Sequence, residues 1–476
     1  MPRRGGAVVR ALLAAIALLV VLVAAALWFH PGRALRVATG TTAHDLCSET
    51  FVSGLDPHRT FAESLAPRPG YRLVARGMRF DVDRDRHEVR ASFLGAFASR
   101  AMFRPGWGCV LAYGDAPPVG PAAGAAARAA SAPAEAAEPA LVEASDPRLK
   151  AALDAAFAEP GQAPHRWTKA VVVMHEGRIV AERYAPGYGV DTPILGFSMS
   201  KSVTNALVGI LVRQGRLAIA APAPIAAWQA PGDPRAAITI EELMRMTSGL
   251  DLDENGSGFD PSNIMLYTEP DMAGYAERAR LIAVPGRRWS YSSAGTQIVA
   301  RIVRDAVGGS GEAVQRFARE ELFEPLGMRH MTMEMDGTGT PVGAHYMLAT
   351  ARDWARLGQL YLDDGMAGGR RILPAGWADF SATATLDTDY GAGWWTNRSE
   401  HPWALGRLRL GMPGDAFFAS GNLGQRIAVV PSAHLVVVRM GRSLTPGYDV
   451  EGFAKLVAAA VTAVRPSSGA APAAPR

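Results

Sequence analysis

The most hydrophobic stretch of the chain is an uncharged run over 11–29. A helix needs about 20 apolar residues to cross a bilayer, so this run predicts a transmembrane anchor. Arginines within 1–10 precede it, and positive residues favour the cytoplasmic side. The pattern therefore predicts a single-pass protein of the inner (cytoplasmic) membrane, with 1–10 in the cytoplasm and the rest of the chain periplasmic or otherwise extracytoplasmic.

A cleaved signal peptide is the alternative interpretation of this run, because Ala24-Ala25-Ala26 resembles a cleavage site. The apolar run continues past these alanines to Trp28, a residue type that is common at membrane interfaces. That continuation favours an anchor that is not cleaved. Both interpretations predict export of the remaining chain.

The rest of the pattern divides into ordered and unordered parts. Strand-like pieces such as Tyr71–Ala75 and Glu88–Phe93 occur early, and an Ala-, Pro- and Gly-rich stretch that cannot specify a core follows them. The predicted parts are a small N-terminal unit (30–113), a linker (114–145), a main domain (146–464) and a disordered tail (465–476).

The main domain shows strand patterns at both ends and helical patterns between them. The middle, about 203–362, is largely helical with Gly and Pro breaks. We predict an α+β fold in which one antiparallel sheet, flanked by helices, is built from both ends around an inserted, mainly helical subdomain. The predicted elements are a helix at Lys150–Ala158, a hairpin of Ala170–Met174 and Ile179–Tyr184 around Glu176-Gly177, and a second strand pair of Gln425–Val430 and Leu435–Met440.

Composition and charge exclude several classes of protein. Hydrophobic residues make up 49% of the chain and charged residues 20%, which is typical of a globular protein. The net charge is +4, but the basic residues are scattered and form no run interleaved with aromatics. We therefore expect no nucleic-acid partner.

The two cysteines, Cys47 and Cys109, both follow the apolar run. In an oxidising compartment such a pair usually closes a disulfide, which is our prediction; two separate buried thiols are the alternative. Two cysteines without a histidine cluster cannot supply four ligands, so no metal site is expected.

Ser198-x-x-Lys201 is the first candidate for catalysis. The apolar residues after it follow the spacing of one helix face, so Ser198 should lie at a helix N-terminus with Lys201 one turn later. A buried lysine has a lowered pKa and can accept the serine proton. An N-cap serine beside a solvated lysine is the alternative.

Tyr291 is the second candidate, because it follows a Pro285-Gly286 turn and precedes a helix-like run at Gln297–Val307. A tyrosine in that position can project into a cleft and relay a proton to a leaving group. Taken alone, Tyr291 would be a packed loop aromatic. Its order after Ser198 favours the catalytic interpretation.

Together these motifs resemble the serine β-lactamase, penicillin-binding and esterase superfamily, which uses Ser-x-x-Lys, Tyr-x-Asn and Lys-Thr-Gly motifs. The resemblance covers about 169–442 and is closest to the class C-like branch with esterases and nylon-oligomer (aminohexanoate-dimer) hydrolases. Supporting stretches are Leu243–Leu250, Phe323–Met328, Thr350–Gly358 and Tyr390–Trp395.

The chain departs from that pattern in two places. Ser293 stands where many members have Asn, and no Lys-Thr-Gly occurs. The resemblance implies that the equivalent strand contains Ala419, Ser420 and Gly421, and that its edge supplies an oxyanion N–H to pair with that of Ser198. The missing lysine weakens the case for penicillin as a substrate.

Two further residues are candidates for the substrate cleft. Asp271 resembles a position where nylon-oligomer hydrolases hold the substrate amine, although a helix N-cap is the alternative. His345 follows a Pro-Val-Gly-Ala stretch and could face the cleft, with a structural loop histidine as the alternative.

Other hydrolase classes fit less well, because the sequence has no Gly-x-Ser-x-Gly elbow and no His-Glu-x-x-His. We therefore expect a membrane-anchored, extracytoplasmic serine hydrolase that needs no cofactor and cleaves a small-molecule ester or amide through an acyl-enzyme on Ser198. The alternative is a penicillin-binding or sensor-like protein of the same fold that is acylated without efficient turnover.

Overall fold

The computed structural model describes residues 12–17, 31–114 and 140–465. The predicted linker and tail fall almost entirely outside these ranges. All structural statements below concern the described residues.

The N-terminal part forms a four-stranded antiparallel sheet with strand order β1-β2-β3-β4, against which a long helix packs. A disulfide joins Cys47, at the end of that helix, to Cys109 in the last strand, which confirms the predicted pairing. The elements are α1 (Pro31–Cys47), α2 (Pro57–Thr60), α3 (Arg72–Ala75), β1 (Met78–Asp83), β2 (Glu88–Phe93), β3 (Ala96–Arg104) and β4 (Gly108–Ala112).

One of the two strand predictions in this part is wrong. Glu88–Phe93 is β2, as predicted, but the predicted strand at Tyr71–Ala75 is the one-turn helix α3. A short apolar run cannot be assigned to a strand or a helix by its periodicity alone.

The helices of the remaining chain lie mainly between 200 and 382, as the sequence predicts. The first of them, α4, begins with Pro147, and Asp146 caps its N-terminus by accepting the backbone N–H of Arg148. The helices are α4 (Pro147–Phe157), α5 (Ser200–Arg213), α6 (Ile240–Met244), α7 (Pro261–Thr268), α8 (Met272–Glu277), α9 (Ser293–Ala306), α10 (Gly311–Ala318), α11 (Ala351–Leu362), α12 (Trp377–Ala382), α13 (Pro402–Arg409) and α14 (Val450–Val464).

The strands of this part form one large sheet and two small ones. The large sheet has six strands in the order β12-β13-β14-β15-β5-β6, and the small sheets have the orders β7-β9-β8 and β10-β11. The strands are β5 (Thr168–His175), β6 (Arg178–Tyr184), β7 (Ile194–Leu195), β8 (Thr332–Met333), β9 (Met347–Ala349), β10 (Met366–Ala367), β11 (Arg370–Arg371), β12 (Trp395–Thr396), β13 (Phe417–Gly421), β14 (Gln425–Val430) and β15 (Leu435–Gly441).

Single-turn segments connect several of these elements. The π-helical segments are Ser48–Val52, Phe61–Leu65 and Arg319–Phe323. The 3-10 segments are Phe197–Met199, Ala226–Trp228, Pro234–Ala237, Asn422–Gly424, Pro431–Ala433 and Pro446–Tyr448.

The six-stranded sheet confirms the predicted α+β fold, because its strands come from both ends of the domain. All of its pairs are antiparallel. The hairpin β5–β6 turns at Glu176 and Gly177, both of which have positive φ, as a tight hairpin turn requires.

The central strands of this sheet are apolar on both sides. In β5, Val172 packs into the core below α11 while Val171 and Val173 pack against α4 and α14 on the opposite face. The core on the α11 side continues without a break into the core of the N-terminal part. The 3-10 segment Phe197–Met199, which carries Ser198, lies against the sheet at β13 and β14.

The predicted membrane anchor is corrected by the structure. Among the described residues, no helix has both the length and the apolar character needed to span a bilayer. This finding contradicts the predicted inner-membrane location. Of the segment 11–29, the structure describes only 12–17, which are helical, and the remainder lies outside the described residues.

Candidate active site

Ser198 lies on a tight turn between β7 and α5. Phe197, which precedes it, has φ of 48° and is buried. A left-handed conformation in a bulky residue costs on the order of 1–3 kcal/mol and persists only where the surroundings enforce it. Ser198 itself is half-buried between buried neighbours. The turn therefore presents one hydroxyl at the start of a buried helix.

Lys201 lies one turn further along and is buried. Its Nζ donates to Ser198 Oγ at 3.0 Å, to Ser293 Oγ at 2.9 Å and to the carbonyl oxygen of Ala344 at 3.1 Å. Burial lowers the pKa of Lys201 to about 8, against a smaller opposing effect of the Glu254 carboxylate. The amine can therefore lose its proton close to neutral pH.

Tyr291 lies beside Lys201, whose Nζ is 4.8 Å from the centre of its ring. Burial raises the pKa of the Tyr291 hydroxyl, Glu254 raises it further, and a hydrogen bond with Ser198 acts in the opposite direction. Tyr291 is therefore a neutral phenol that packs beside Lys201. A neutral phenol can donate its proton to a neighbouring group, but it does not act as the base that accepts the serine proton.

Aromatic rings surround Tyr291. Trp395 stacks on it with ring centres 5.8 Å apart, and Tyr390 meets it edge-on at the same distance. Trp289 lies 6.4 Å from the Tyr291 ring. These rings place apolar aromatic surface around Tyr291, and so beside Lys201.

Ser293 is the first residue of α9, and the preceding Ser292 caps that helix by accepting the N–H of Gly295. The backbone N–H of Ser293 donates to Glu254 Oε2 at 2.7 Å. Glu254 is thus held at a helix N-terminus, where a negative charge is favourable. Its charge acts on the pKa of both Lys201 and Tyr291.

The predicted oxyanion strand is β13, and its end lies against the serine turn. The pairing of β12 with β13 does not extend beyond Phe418. After Phe418, the edge of β13 that faces away from β14 has no partner strand within the described sheet. The side chain of Ser420 accepts a hydrogen bond from Arg426 Nη1 at 2.7 Å. This bond fixes the position of the Ser420 hydroxyl, which still has its own O–H to donate.

Gly421 makes the closest approach between β13 and the serine turn. A Cβ at this position would lie 2.1 Å from the carbonyl oxygen of Gly196, a distance that real Cβ atoms do not show. Only glycine therefore allows the strand end to touch the turn.

Gly421→Ala should displace that turn and lower kcat at least about tenfold, because small misplacements of a nucleophile are costly. Gly406→Ala is the matched control, since a Cβ there meets nothing within 4 Å. Steady-state kinetics on a small ester would compare the two. A Gly421→Ala enzyme with wild-type kcat would contradict this account of the turn.

His345 lies behind the serine turn. Its ring meets that of Phe197 edge-on, with centres 5.1 Å apart. Burial, followed by the charges of Lys201 and Arg68, lowers the pKa of His345 well below its ordinary value. The residue is a neutral, half-buried histidine packed against the turn, which is in keeping with the structural alternative.

Asp271 is placed away from this cluster. It caps α8 by accepting the N–H of Gly274 at 3.0 Å and forms an ion pair with Arg301. Its described contacts include none to Ser198 or Lys201. The structure therefore gives Asp271 the helix-cap role that was the alternative prediction.

Glu254 was not among the predicted site residues, and Tyr390 and Trp395 had no predicted role. The stretch Tyr390–Trp395 supports the family resemblance, whereas no local pattern around Glu254 indicates that it joins the cluster. Within the described part of the chain, no group of three or more His, Cys, Asp or Glu side chains has the arrangement of a metal site.

A hydroxyl on a strained turn, a buried lysine in contact with it and a sheet edge beside it are the features of a serine hydrolase. The family model described as Beta-lactamase matches residues 153–461, and the chain belongs to this family. This result confirms the superfamily resemblance inferred from the sequence motifs.

Individual relatives agree with this assignment. The chain is 28% identical over 226 residues to a 6-aminohexanoate-dimer hydrolase of Paenarthrobacter ureafaciens, a match that covers 44% of this chain and 56% of that enzyme. The chain thus spans little more than half the length of this curated relative.

Solved structures show the same fold. A Bacillus anthracis protein described provisionally as a 6-aminohexanoate-dimer hydrolase is 25% identical, with a TM-score of 0.52 over 67% of this chain and 86% of its own. A penicillin-binding protein homologue from Caulobacter crescentus is 19% identical, with a TM-score of 0.51 over 68% of this chain and 99% of its own. A family VIII carboxylesterase is 16% identical, with a TM-score of 0.51 and the same two coverages. The protein has the β-lactamase fold.

Proposed function

We propose that the protein hydrolyses esters or amides through an acyl-enzyme on Ser198, with Lys201 as the base and Tyr291 as a proton relay. The observation that carries this proposal is the hydrogen bond from the buried Lys201 amine to Ser198 Oγ at 3.0 Å. A serine hydroxyl is a weak nucleophile unless a base lies within hydrogen-bond reach.

In the acylation step, neutral Lys201 takes the hydroxyl proton of Ser198 while Oγ attacks the substrate carbonyl carbon. Backbone N–H groups of Ser198 and of the β13 edge near Ala419 and Ser420 receive the oxyanion. Tyr291 gives its proton to the leaving oxygen or nitrogen and takes the proton held by Lys201. The C–O or C–N bond breaks, and an ester on Ser198 remains.

Deacylation reverses these roles. A water molecule attacks the acyl carbon and transfers a proton to Lys201, directly or through Tyr291. The Ser198 oxygen then leaves with that proton, and the carboxylic acid is released. The overall reaction consumes one water molecule and regenerates the free serine.

The substrate we propose is a linear amide or a short ester. One relative is named as a hydrolase of the 6-aminohexanoate dimer, and a family VIII carboxylesterase shares the fold. The half-buried rings of Trp289 and Trp395 suit an apolar alkyl chain beside the reacting carbonyl.

The activity should depend on pH through Lys201. Only the neutral amine accepts the serine proton, so kcat/KM should fall about tenfold per unit below pH 8 and reach a plateau above about pH 9. Glu254→Gln removes a charge that raises the Lys201 pKa, and should move the midpoint to lower pH. A flat profile between pH 6 and 9 with an uncharged ester would contradict this assignment.

The proposed function is tested by labelling and turnover on one preparation. A fluorophosphonate probe should modify the peptide that contains Ser198, as read by mass spectrometry. Short p-nitrophenyl esters, the linear 6-aminohexanoate dimer and a chromogenic cephalosporin should then be compared for product released per enzyme. Label on another residue, or product that stops at one equivalent on every substrate, would overturn the proposal.

A further inference from the structure

The N-terminal unit, 31–113, lies outside the residues matched by the family model, which begin at 153. It nevertheless shares one continuous hydrophobic core with the hydrolase domain. The unit therefore lies outside the common fold but packs into its core. It also contacts the serine turn.

The first contact is made by Arg68. Its guanidinium lies 5.7 Å from the centre of the Phe197 ring, on the residue whose left-handed backbone directs Ser198. Arg68 is held in place by the Asp45 carboxylate at 3.1 Å and the carbonyl oxygen of Ser64 at 2.6 Å. A cation over an aromatic face is attractive, more so when it is partly desolvated.

The second contact reaches the segment that binds Lys201. The hydroxyl of Tyr346 donates to Asp45 Oδ1 at 2.5 Å, and its ring stacks on His44 with centres 3.8 Å apart. Tyr346 directly follows His345, whose ring packs on that of Phe197. Ala344 belongs to the same segment, and its carbonyl oxygen accepts a hydrogen bond from the Lys201 amine. One carboxylate, Asp45, therefore links both contacts.

Buried polar bonds fix the unit in this position. Glu334 of the hydrolase domain is fully buried, and its carboxylate binds Nε2 of His44 at 2.9 Å, the backbone N–H of Cys109 at 2.7 Å and the hydroxyl of Ser48 at 2.9 Å. The Cys47–Cys109 disulfide ties together the two elements that make these bonds. A buried carboxylate with three donors holds its partners in one geometry.

We propose that the N-terminal unit is a positioning module for the active site, in which Arg68, held by Asp45, keeps Phe197 and the 344–346 segment in the geometry that brings Ser198 to Lys201. Arg68 is a positioning residue that acts through Phe197. This inference rests on the proposed role of Ser198 as nucleophile.

The test compares Arg68→Met, which keeps the stem and removes the charge, with Arg68→Lys, which restores a cation. Arg72→Met is the matched control, because Arg72 is an exposed arginine of the same unit. Arg68→Met should lower kcat and the rate of fluorophosphonate labelling about ten- to hundredfold with KM changed less than about threefold. Arg68→Lys should recover a large part of the loss, and Arg72→Met should equal the wild type.

Circular dichroism and melting temperature would show whether each variant is folded. If Arg68→Met does not fold, Tyr346→Phe tests the same link by removing only the hydroxyl that donates to Asp45, and should lower kcat severalfold. Wild-type kcat in the folded variant, or equal losses in the Arg68 and Arg72 variants, would overturn the inference. Labelling that still maps to Ser198 would leave the proposed function intact in that case.

Discussion

Replacing Ser198 with alanine should abolish hydrolysis of every ester and amide that the wild type cleaves, a loss on the order of 10⁴-fold or more. The reason is that no acyl-enzyme can form without Oγ, and the remaining groups only bind and polarise the substrate. Labelling by a fluorophosphonate probe should disappear with it. Both losses are measured on the purified protein by steady-state kinetics and by gel fluorescence.

The neighbouring Ser202 offers a matched control for this substitution. It lies in the first turn of α5, directly after the serine turn, and its hydroxyl donates to the carbonyl oxygen of Gly393 at 2.7 Å. Ser202→Ala should therefore retain probe labelling, whereas Ser198→Ala should not. Residual labelling of Ser198→Ala equal to that of the wild type would mean that another residue is the nucleophile.

Lys201→Met should lower kcat/KM about 10²- to 10⁴-fold, because the serine loses the base that accepts its proton. Methionine fills a similar volume, so the substitution tests chemistry more than packing. The pH dependence that is centred near pH 8 in the wild type should also disappear, since the titrating amine is gone.

The same substitution should not lower the melting temperature at pH 7. Burial lowers the pKa of Lys201 in the folded protein, so folding at neutral pH works against the charged amine, and an apolar side chain removes that cost. Lys455→Met, at an exposed lysine paired with Glu451, is the control that should leave both activity and stability unchanged. Wild-type hydrolysis by Lys201→Met across the pH range would exclude Lys201 as the base.

The features that sequence predicted well are local. Ser198 and Lys201 lie one helical turn apart, and the β5–β6 hairpin is specified by two adjacent residues at its turn. Residues that are close together in the sequence are, in these cases, also close together in the folded protein. The α+β fold could be predicted because both ends of the domain carry strand patterns.

The features that sequence missed depend on tertiary contacts. Glu254 reaches the site only because α9 begins beside it, and no pattern around residue 254 indicates this. The N-terminal unit was expected as a separate small part, yet its Arg68, which is held by Asp45, reaches Phe197 in the serine turn. Two interpretations of Asp271 were open from the sequence, and the structure shows the helix cap in its hydrogen bond with the N–H of Gly274, beside an ion pair with Arg301.

The order of strands in the large sheet also determines when this enzyme can first act during its synthesis. Strand β5 pairs with β15, so that His175 lies opposite Leu435, and β13 joins the sheet through the same late strands. At 5–20 residues per second, a ribosome needs roughly ten to fifty seconds to make the intervening chain. For that time β5 keeps one unpaired edge, which is a template for aggregation. The serine turn is synthesised early, but β13, the strand that lies against it, is made only when translation of the domain is nearly finished.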